Sequence, residues 1–445
     1  MKQPEMYLPP HVLGCINALE AAGFSAWAVG GCVRDACLGL TPHDYDLCTN
    51  ALPDQTEAVF ADFPLVLNGK KHGTVSVITG GEMVEITTFR TEGDYLDNRH
   101  PQWVEFVPNI EEDLARRDFT VNAMAYSPTR GFADPFGGRE DLKNHVLRAV
   151  GSPYLRFTED ALRVLRGVRF AVRYQLTPEP ETENAMAVLA PRVRTLAVER
   201  IFDELCKLLP LVTADDLIRF APVLTEVIPE LKPALGFDQR NPHHVFDLYT
   251  HIAHVVEHVP PQLPLRWAAL LHDIGKISTF TLDENGCGHF YGHAGISAEM
   301  ADRILMELKA PTALREQVVF LIDKHMTRLE PDKKLLRRRF SQYGIEATYQ
   351  LLSLQQADLG SKGSGDADRV SWFDMIGGLL DALRKEDACL TLKDLAVNGN
   401  DLKALGFEGK AIGACLKGLL DLVLDETVPN EKEPLLTAAK QYPMR

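Results

Sequence analysis

Residues 26–49, AWAVGGCVRDACLGLTPHDYDLCT, read as a strand, a glycine turn, a short helix and a second strand that begins at an acidic pair. Gly30 and Gly31 follow an apolar run ending at Val29. With no Cβ, the backbone there can turn sharply and bring bare N–H groups against a ligand, with Arg34 one turn further on; that suits phosphate. Asp44 and Asp46 stand two residues apart. At strand spacing both carboxylates fall on one face of a sheet, where together they can hold a divalent cation. Each feature alone is common, as a plain turn or a solvated strand end. A phosphate cradle beside a metal-binding pair implies phosphoryl or nucleotidyl transfer.

Gly-Gly-x-Val-Arg-Asp followed by Asp-x-Asp-Leu resembles the signature of class II tRNA nucleotidyltransferases, the CCA-adding enzymes, and of the related bacterial poly(A) polymerases. The resemblance implies an α+β chain: a small mixed β-sheet head, then a mostly helical body that ends in a helical tail. It implies template-independent addition of C, C and A to tRNA 3′ ends from CTP and ATP. Asp44 and Asp46 would hold Mg2+, with Gly30, Gly31 and Arg34 on the nucleotide.

Composition bounds this expectation. At 445 residues the chain is too long for one core, and about two to four domains are expected. A formal charge of −15 excludes a surface that is basic all over, so an RNA partner would be held by local basic patches and bound metal. The eight cysteines show no Cys-x-x-Cys spacing, which favours free thiols in a reducing cytoplasm over a zinc ribbon or a disulfide framework. No run approaches the roughly 18 apolar residues of a membrane span, so a cytoplasmic protein without membrane contact is expected.

Residues 9–23 have helical periodicity closed by Gly23, and a helix is expected over 54–60 behind Pro53. Runs 73–79 and 83–89, separated by Gly80-Gly81, predict a hairpin. Glu85 in the second run becomes a third carboxylate of the acidic pair if its strand lies beside theirs; otherwise it is an outward-facing strand residue. The preceding Gly69 to Val75, with His72-Gly73-Thr74, is closer to CCA-adding enzymes than to poly(A) polymerases. Residues 91–105 are polar, with Gly93 and Pro101, and predict a long mobile loop. Residues 116–125, RRDFTVNAMA, match another element of the family. The match implies that Arg117 contacts the nucleotide and that Asn122 shapes the sugar pocket. Asp134 and Asp141 flank a further family element, DPFGGRED, and are equally suited to turn and N-cap roles.

Residues 157–170, FTEDALRVLRGVRF, predict a helix with Thr158 as N-cap and Asp160 paired to Arg163 at i,i+3. On one helix face, an acceptor and a guanidinium side by side match the amino group and ring nitrogen shared by cytosine and adenine. Guanine and uracil present the reverse order and would leave groups unpaired, at roughly 1–3 kcal/mol each. Arg166 and Arg169 drift round the helix by about 60° per step, toward where a triphosphate or RNA backbone would lie. The string resembles the base-selecting element of class II CCA-adding enzymes. Arg192, Arg194, Glu199 and Arg200 fall in a stretch similar to that family's neck, read as scaffold.

Beyond residue 240, His251, His272-Asp273 and Asp358 follow the order of an HD domain, a helical metal-binding phosphohydrolase. They form an N/O ligand set for a second divalent metal, to which His293 and His325 can add a further ion or a phosphate contact. The sequence is expected to divide as a head over 1–148, a helical neck for base recognition and RNA binding over 149–240, an HD domain over 241–360, and, past the glycine-rich break at 360–367, a helical tRNA-binding tail over 361–445. Residues 395–413 predict two helices about a glycine turn. The rival readings are an enzyme that adds only A or only C, a poly(A) polymerase, an HD phosphohydrolase, and a non-catalytic RNA-binding protein. Oligomeric state is not legible.

Overall fold

The computed structural model describes residues 6–92, 104–242, 244–362, 367–386 and 389–443. They form two compact units, the first over 1–212 and 219–229, the second over 213–218 and 230–445.

Unit 1 is built on a seven-stranded mixed sheet of order β3-β4-β5-β2-β1-β8-β9. The strands are β1 (Ala26–Val29), β2 (Asp46–Thr49), β3 (Leu65–Val66), β4 (Thr74–Thr79), β5 (Glu82–Thr88), β8 (Ala125–Ser127) and β9 (Gly131–Ala133); β6 (Arg90–Glu92) and β7 (Val104–Phe106) pair separately. Helices α1 (Pro10–Ala21), α2 (Gly31–Cys37), α3 (Pro53–Val59), α4 (Ile110–Ala115) and α5 (Gly138–Lys143) accompany the strands. Trp27, Val29, Cys48 and Phe89 pack with Ile110 and Leu114 of α4 into one buried cluster. The 73–89 hairpin forms, and Gly80 and Gly81 take φ of 63° and 84°, which a two-residue turn between twisted strands demands. Gly23 follows α1 at φ 89°, as a helix-ending glycine does. The expected mobile loop at 91–105 falls mostly on residues 93–103, outside the described residues, and β6 and β7 flank it.

Helices continue as α6 (Pro153–Glu159), α7 (Leu162–Tyr174), α8 (Pro180–Leu189), α9 (Val198–Leu208), α10 (Ala214–Arg219) and α11 (Ala221–Val227). The single helix expected from Phe157 onward is two. Thr158 lies inside α6 and caps nothing, and Asp160 interrupts the path with φ −136° and ψ 105°. Its Oδ1 accepts from the Leu162 N–H at 3.0 Å. An aspartate carboxylate competes with the helical ladder for backbone N–H groups, and here it wins.

Unit 2 is helical, from α12 (Leu248–His258), α13 (Leu263–Leu271) and α14 (Lys276–Thr279) through α15 (His293–Glu307), α16 (Thr312–Lys324), α17 (Lys333–Tyr343), α18 (Ile345–Gly360) and α19 (Ala367–Lys385). The expected break after Gly360 includes residues 363–366, outside the described residues. The tail forms α20 (Gly399–Ala404), α21 (Lys410–Leu424) and α22 (Lys432–Ala439) around Leu402, Phe407, Leu419 and Leu435. Gly406 and Gly409 make the expected turn with φ of 96° and 54°. Among the described residues no helix is long and apolar enough to cross a membrane, and all eight cysteines are free.

Candidate active site

β2 and β5 run parallel with Asp46 opposite Glu85 and Leu47 opposite Ile86. Directly opposed residues share a face, so the two carboxylates project together, Asp46 from the start of β2 and Glu85 from the middle of β5, while Leu47 and Ile86 are buried. Asp44 lies just ahead of β2 rather than on it. Desolvation, then the charges of Glu85 and Asp44, raise the pKa of Asp46, against the opposing pull of Arg117. Such a group of oxygen donors is relieved by a hard divalent cation.

Arg117 reaches this corner over Gly30. A Cβ at residue 30 would lie 2.8 Å from Arg117 Nη1, and φ there is 74°, so only glycine allows both the turn and the approach of the guanidinium. Asp113 holds Arg117 in place. It is fully buried, with Arg116 Nε at 3.0 Å from Oδ1 and Arg117 Nη2 at 3.3 Å from Oδ2. Burial opposes its ionisation, but the two guanidinium groups outweigh it and lower its pKa. Sequence reading passed over Asp113, although its spacing to both arginines on α4 was a usable signal.

Four residues assigned to the nucleotide by sequence are occupied elsewhere. Arg34 is buried: Nη1 donates to Asn122 Oδ1 at 2.5 Å, Nε donates to Asp35, and the guanidinium stacks 4.2 Å from the Tyr174 ring centroid. Asn122 is also buried and donates to Asp118 Oδ1 at 3.0 Å. Arg166 and Arg169 do not fan toward a phosphate. Arg166 Nε donates to Asp118 Oδ2 at 2.9 Å, and Arg169 Nε donates to Glu204 of α9 at 2.6 Å. A buried chain of charge-assisted bonds therefore runs from Arg34 through Asn122, Asp118 and Arg166 toward Glu204, which Arg166 Nη1 approaches at 4.0 Å. Guanidinium groups withdrawn from water need carboxylates, and Asp35 supplies one to Arg34, Asp118 to Arg166 and Glu204 to Arg169.

Burial resists ionisation of Asp118, yet Arg166 and Asn122 hold its pKa down to about 2. A folded-state pKa below the unfolded value stabilises above the unfolded pKa and is lost as pH falls through the folded one. Asp118→Asn therefore costs unit 1 about 2 kcal/mol at neutral pH. In urea titrations the gap from wild type narrows between pH 4 and pH 2; a gap independent of pH contradicts the assignment.

Asp160 and Arg163 do not pair with each other. Asp160 Oδ2 accepts from Arg200 Nη2 at 2.9 Å. Arg163 Nη1 donates to Glu159 Oε2 at 2.7 Å and to the Arg156 carbonyl at 3.1 Å, and Nη2 donates to the Arg116 carbonyl at 3.0 Å. The helix break turns the two side chains to separate partners. Arg163 lines a recess of about 210 Å³ with Arg116, Arg156, Glu159 and Thr91, below the roughly 300 Å³ of ordinary ligand pockets and suited to a single ring. Arg116 ties this recess to the acidic corner, because its carbonyl meets Arg163 and the next residue is Arg117. Asp134 accepts from the Gly138 and Arg139 N–H groups at the start of α5 and takes the expected turn-and-cap role, whereas Asp141 lies inside α5 and instead accepts from Thr120 Oγ1 at 2.7 Å and pairs with Arg148. Arg194 pairs with Glu226, consistent with scaffold.

In unit 2, His251, His272, Asp273 and Asp358 are buried, with potential ligand atoms within 4.8 Å of one another; Asp273, His293 and His325 form a second such set. His251 and His293 lie on α12 and α15, His272 and His325 cap the C-terminal ends of α13 and α16, and Asp358 lies on α18. His251 Nε2, His272 Nε2, Asp273 Oδ2 and Asp358 Oδ1 are buried and lack hydrogen-bond partners of proper geometry among the described residues. Burial without partners is costly unless a cation sits among them. Burial, and then His272, lower His325 to about 4. A third set, Asp283, Cys287 and His289, lies on a partly exposed hairpin, where Asp283 already pairs with His289 at 2.9 Å.

Family models match three stretches of the chain. Residues 26–148 match the Poly A polymerase head domain, 175–235 an RNA and SrmB-binding site of polymerase A, and 280–439 domain 2 of tRNA nucleotidyltransferase. The chain is 33% identical over 442 residues to the CCA-adding enzyme of Streptococcus gordonii, covering 96% of each. It is 33% identical over 444 residues to that of Geobacillus stearothermophilus, covering 96% of this chain and 95% of the relative. A crystal structure of the Bacillus stearothermophilus CCA-adding enzyme in complex with CTP aligns at TM-score 0.72 and 27% identity over 98% of both chains.

Proposed function

This chain belongs to the CCA-adding enzyme family, and from that premise we propose how its residues divide the work. The reaction transfers CMP and AMP from CTP and ATP to the 3′ end of tRNA, without a template, with release of pyrophosphate. The observation that carries the assignment of residues is the register of Asp46 against Glu85, with the charges of Asp44 and Arg117 felt at Asp46.

Asp44 and Asp46, assisted by Glu85, would hold Mg2+; a donor set made of carboxylate oxygens alone fits that hard ion. When bound, it neutralises triphosphate charge and acidifies the tRNA 3′-hydroxyl. As the 3′-oxygen attacks the α-phosphorus and the bond to pyrophosphate breaks, the hydroxyl proton passes to a carboxylate of this corner. Arg117, above the Gly30-Gly31 turn, holds the triphosphate. Asp160 and Arg163 read the base edge, positioned by Arg200 and Glu159 respectively. Arg34, Asn122, Arg166 and Arg169 act through the buried chain that fixes this framework. tRNA is recognised by the shape of its duplex arm, since A-form RNA exposes little base information. In unit 2, His251, His272, Asp273 and Asp358 hold one divalent transition-metal ion, supported by four buried ligand atoms within 4.8 Å of one another.

Purified protein is offered tRNAs ending before the first C, after CC, and complete, with each NTP singly. We expect C on the first, A on the second and nothing on the third. Failure to add A after CC points to a C-adding enzyme; continued addition of A points to a poly(A) polymerase.

A further inference from the structure

The face of the head sheet that carries Asp46 and Glu85 runs on past them into an apolar surface that the assigned chemistry leaves unused. Asp46 lies opposite Glu85, Glu85 opposite Ser76, and Ser76 opposite Val66, so one row crosses β2, β5, β4 and β3 on a single face. In the neighbouring row of that face Met83 lies opposite Ile78. The intervening residues Val75, Val77, Val84 and Ile86 point to the other face and are buried on the side where α3 packs. The carboxylate face is closed over Trp27 and Cys48, which pack with Ile110 and Leu114 of α4. From Glu85 outward it is open: Val66 is 36% exposed, Ile78 40% and Met83 55%. Neighbouring apolar side chains left in water beside a catalytic site mark a surface that a ligand covers. None of residues 66, 76, 78 and 83 is charged, and Glu82, on the other side of β5, is turned to His11 at 3.2 Å. Nothing in this row holds a phosphate; what it offers is apolar contact.

We propose that the surface formed by Val66, Ile78 and Met83 takes the unpaired 3′ end of the tRNA, with the bases of its last nucleotides lying on it while the terminal hydroxyl reaches the carboxylates; this rests on the assignment of Asp44, Asp46 and Glu85 to the metal ion. Continuity with the catalytic row selects the occupant. The reacting hydroxyl lies at the Glu85 row, and Met83 stands about 7 Å from Glu85 along β5, with Ile78 about 5 Å further across the sheet. The nucleotides that lead to the hydroxyl therefore have the open side of the face to lie on, since α4 closes the other. Each base in a single strand has two bare apolar faces, and covering one is favourable whatever the base. Indifference to sequence suits an end that changes with every addition. Methionine suits it too, because its unbranched, polarisable side chain adapts to different partners.

Addition of AMP to a tRNA ending in CC is followed at steady state for Met83→Ser/Ile78→Ser and for the conservative pair Met83→Leu/Ile78→Val. For the serine pair we expect KM for tRNA to rise roughly 5- to 20-fold, with KM for ATP within about twofold of wild type. The melting temperature stays level because both side chains are exposed, and the conservative pair restores the wild-type KM. A tRNA made abasic at its last nucleotides raises KM of the wild type to that of the serine pair and no longer separates the two proteins. An unchanged KM for tRNA in the serine pair, or an abasic tRNA that still separates the two proteins, overturns the placement of bases here. A dimeric wild type and a monomeric serine pair with unchanged KM for tRNA give the face to a second copy of the chain and overturn it as well. Asp44→Asn/Asp46→Asn is assayed beside them. If it loses transfer while the serine pair keeps its KM, the surface alone falls; if it keeps full transfer, the metal assignment and the surface fall together.

Discussion

Replacing Asp44 and Asp46 with asparagine lowers the rate of AMP addition to a tRNA ending in CC by roughly 10³-fold or more, the scale of removing several kcal/mol of transition-state stabilisation. The same change leaves thermal stability level or slightly raised. Burial and the charges of Glu85 and Asp44 disfavour the ionised form of Asp46, so neutralising Asp44 and Asp46 relieves that repulsion. The opposed signs make the test sharp. Single-turnover incorporation and a melting curve on the same preparation separate loss of chemistry from loss of fold. Near wild-type incorporation, or a collapsed melting temperature, defeats the assignment of this pair to the ion.

Asp160→Ala is expected to cost discrimination more than turnover. Removing the acceptor for the amino group of cytosine and adenine lowers the preference for CTP and ATP over GTP and UTP by roughly 10- to 100-fold, the equivalent of one to two well-placed hydrogen bonds. Arg200→Met, which removes the 2.9 Å contact that orients Asp160, shifts the same ratio in the same direction by less. The four kcat/KM values are the readout. A loss of equal size for all four nucleotides would show that Asp160 serves only as the cap of α7 and takes no part in choosing the base.

Both predictions draw on parts of the chain that were unequally legible. The Gly-Gly turn and the strand that opens at Asp46 were readable because they follow from backbone rules acting within a few residues, whereas Asp44 lies ahead of that strand rather than on it and Glu85 joins the corner only through the pairing of β2 with β5. The hairpin at Gly80-Gly81 and the glycine turn at 406–409 were readable for the same reason. The base-reading segment was misread at one point. Thr158 looked like an N-cap, yet Asp160, two residues later, took the cap by accepting from Leu162, and two helices formed where one was expected. The preference of Asp for caps over helix interiors was the available signal.

Sequence alone determined that this chain has a mixed-sheet head carrying paired acids at a glycine turn, and a separate helical part with the residue order of an HD metal site, because those features are set by local conformation and side-chain chemistry. Only the tertiary structure decided which carboxylate each arginine meets. Arg166 reaches Asp118 across 48 positions, Arg169 reaches Glu204 across 35 and Arg200 reaches Asp160 across 40. The same holds for Asp273, whose two oxygens face histidines brought in by four different helical segments. A buried charge must be compensated wherever the fold brings a partner, and periodicity along the chain carries no record of that choice.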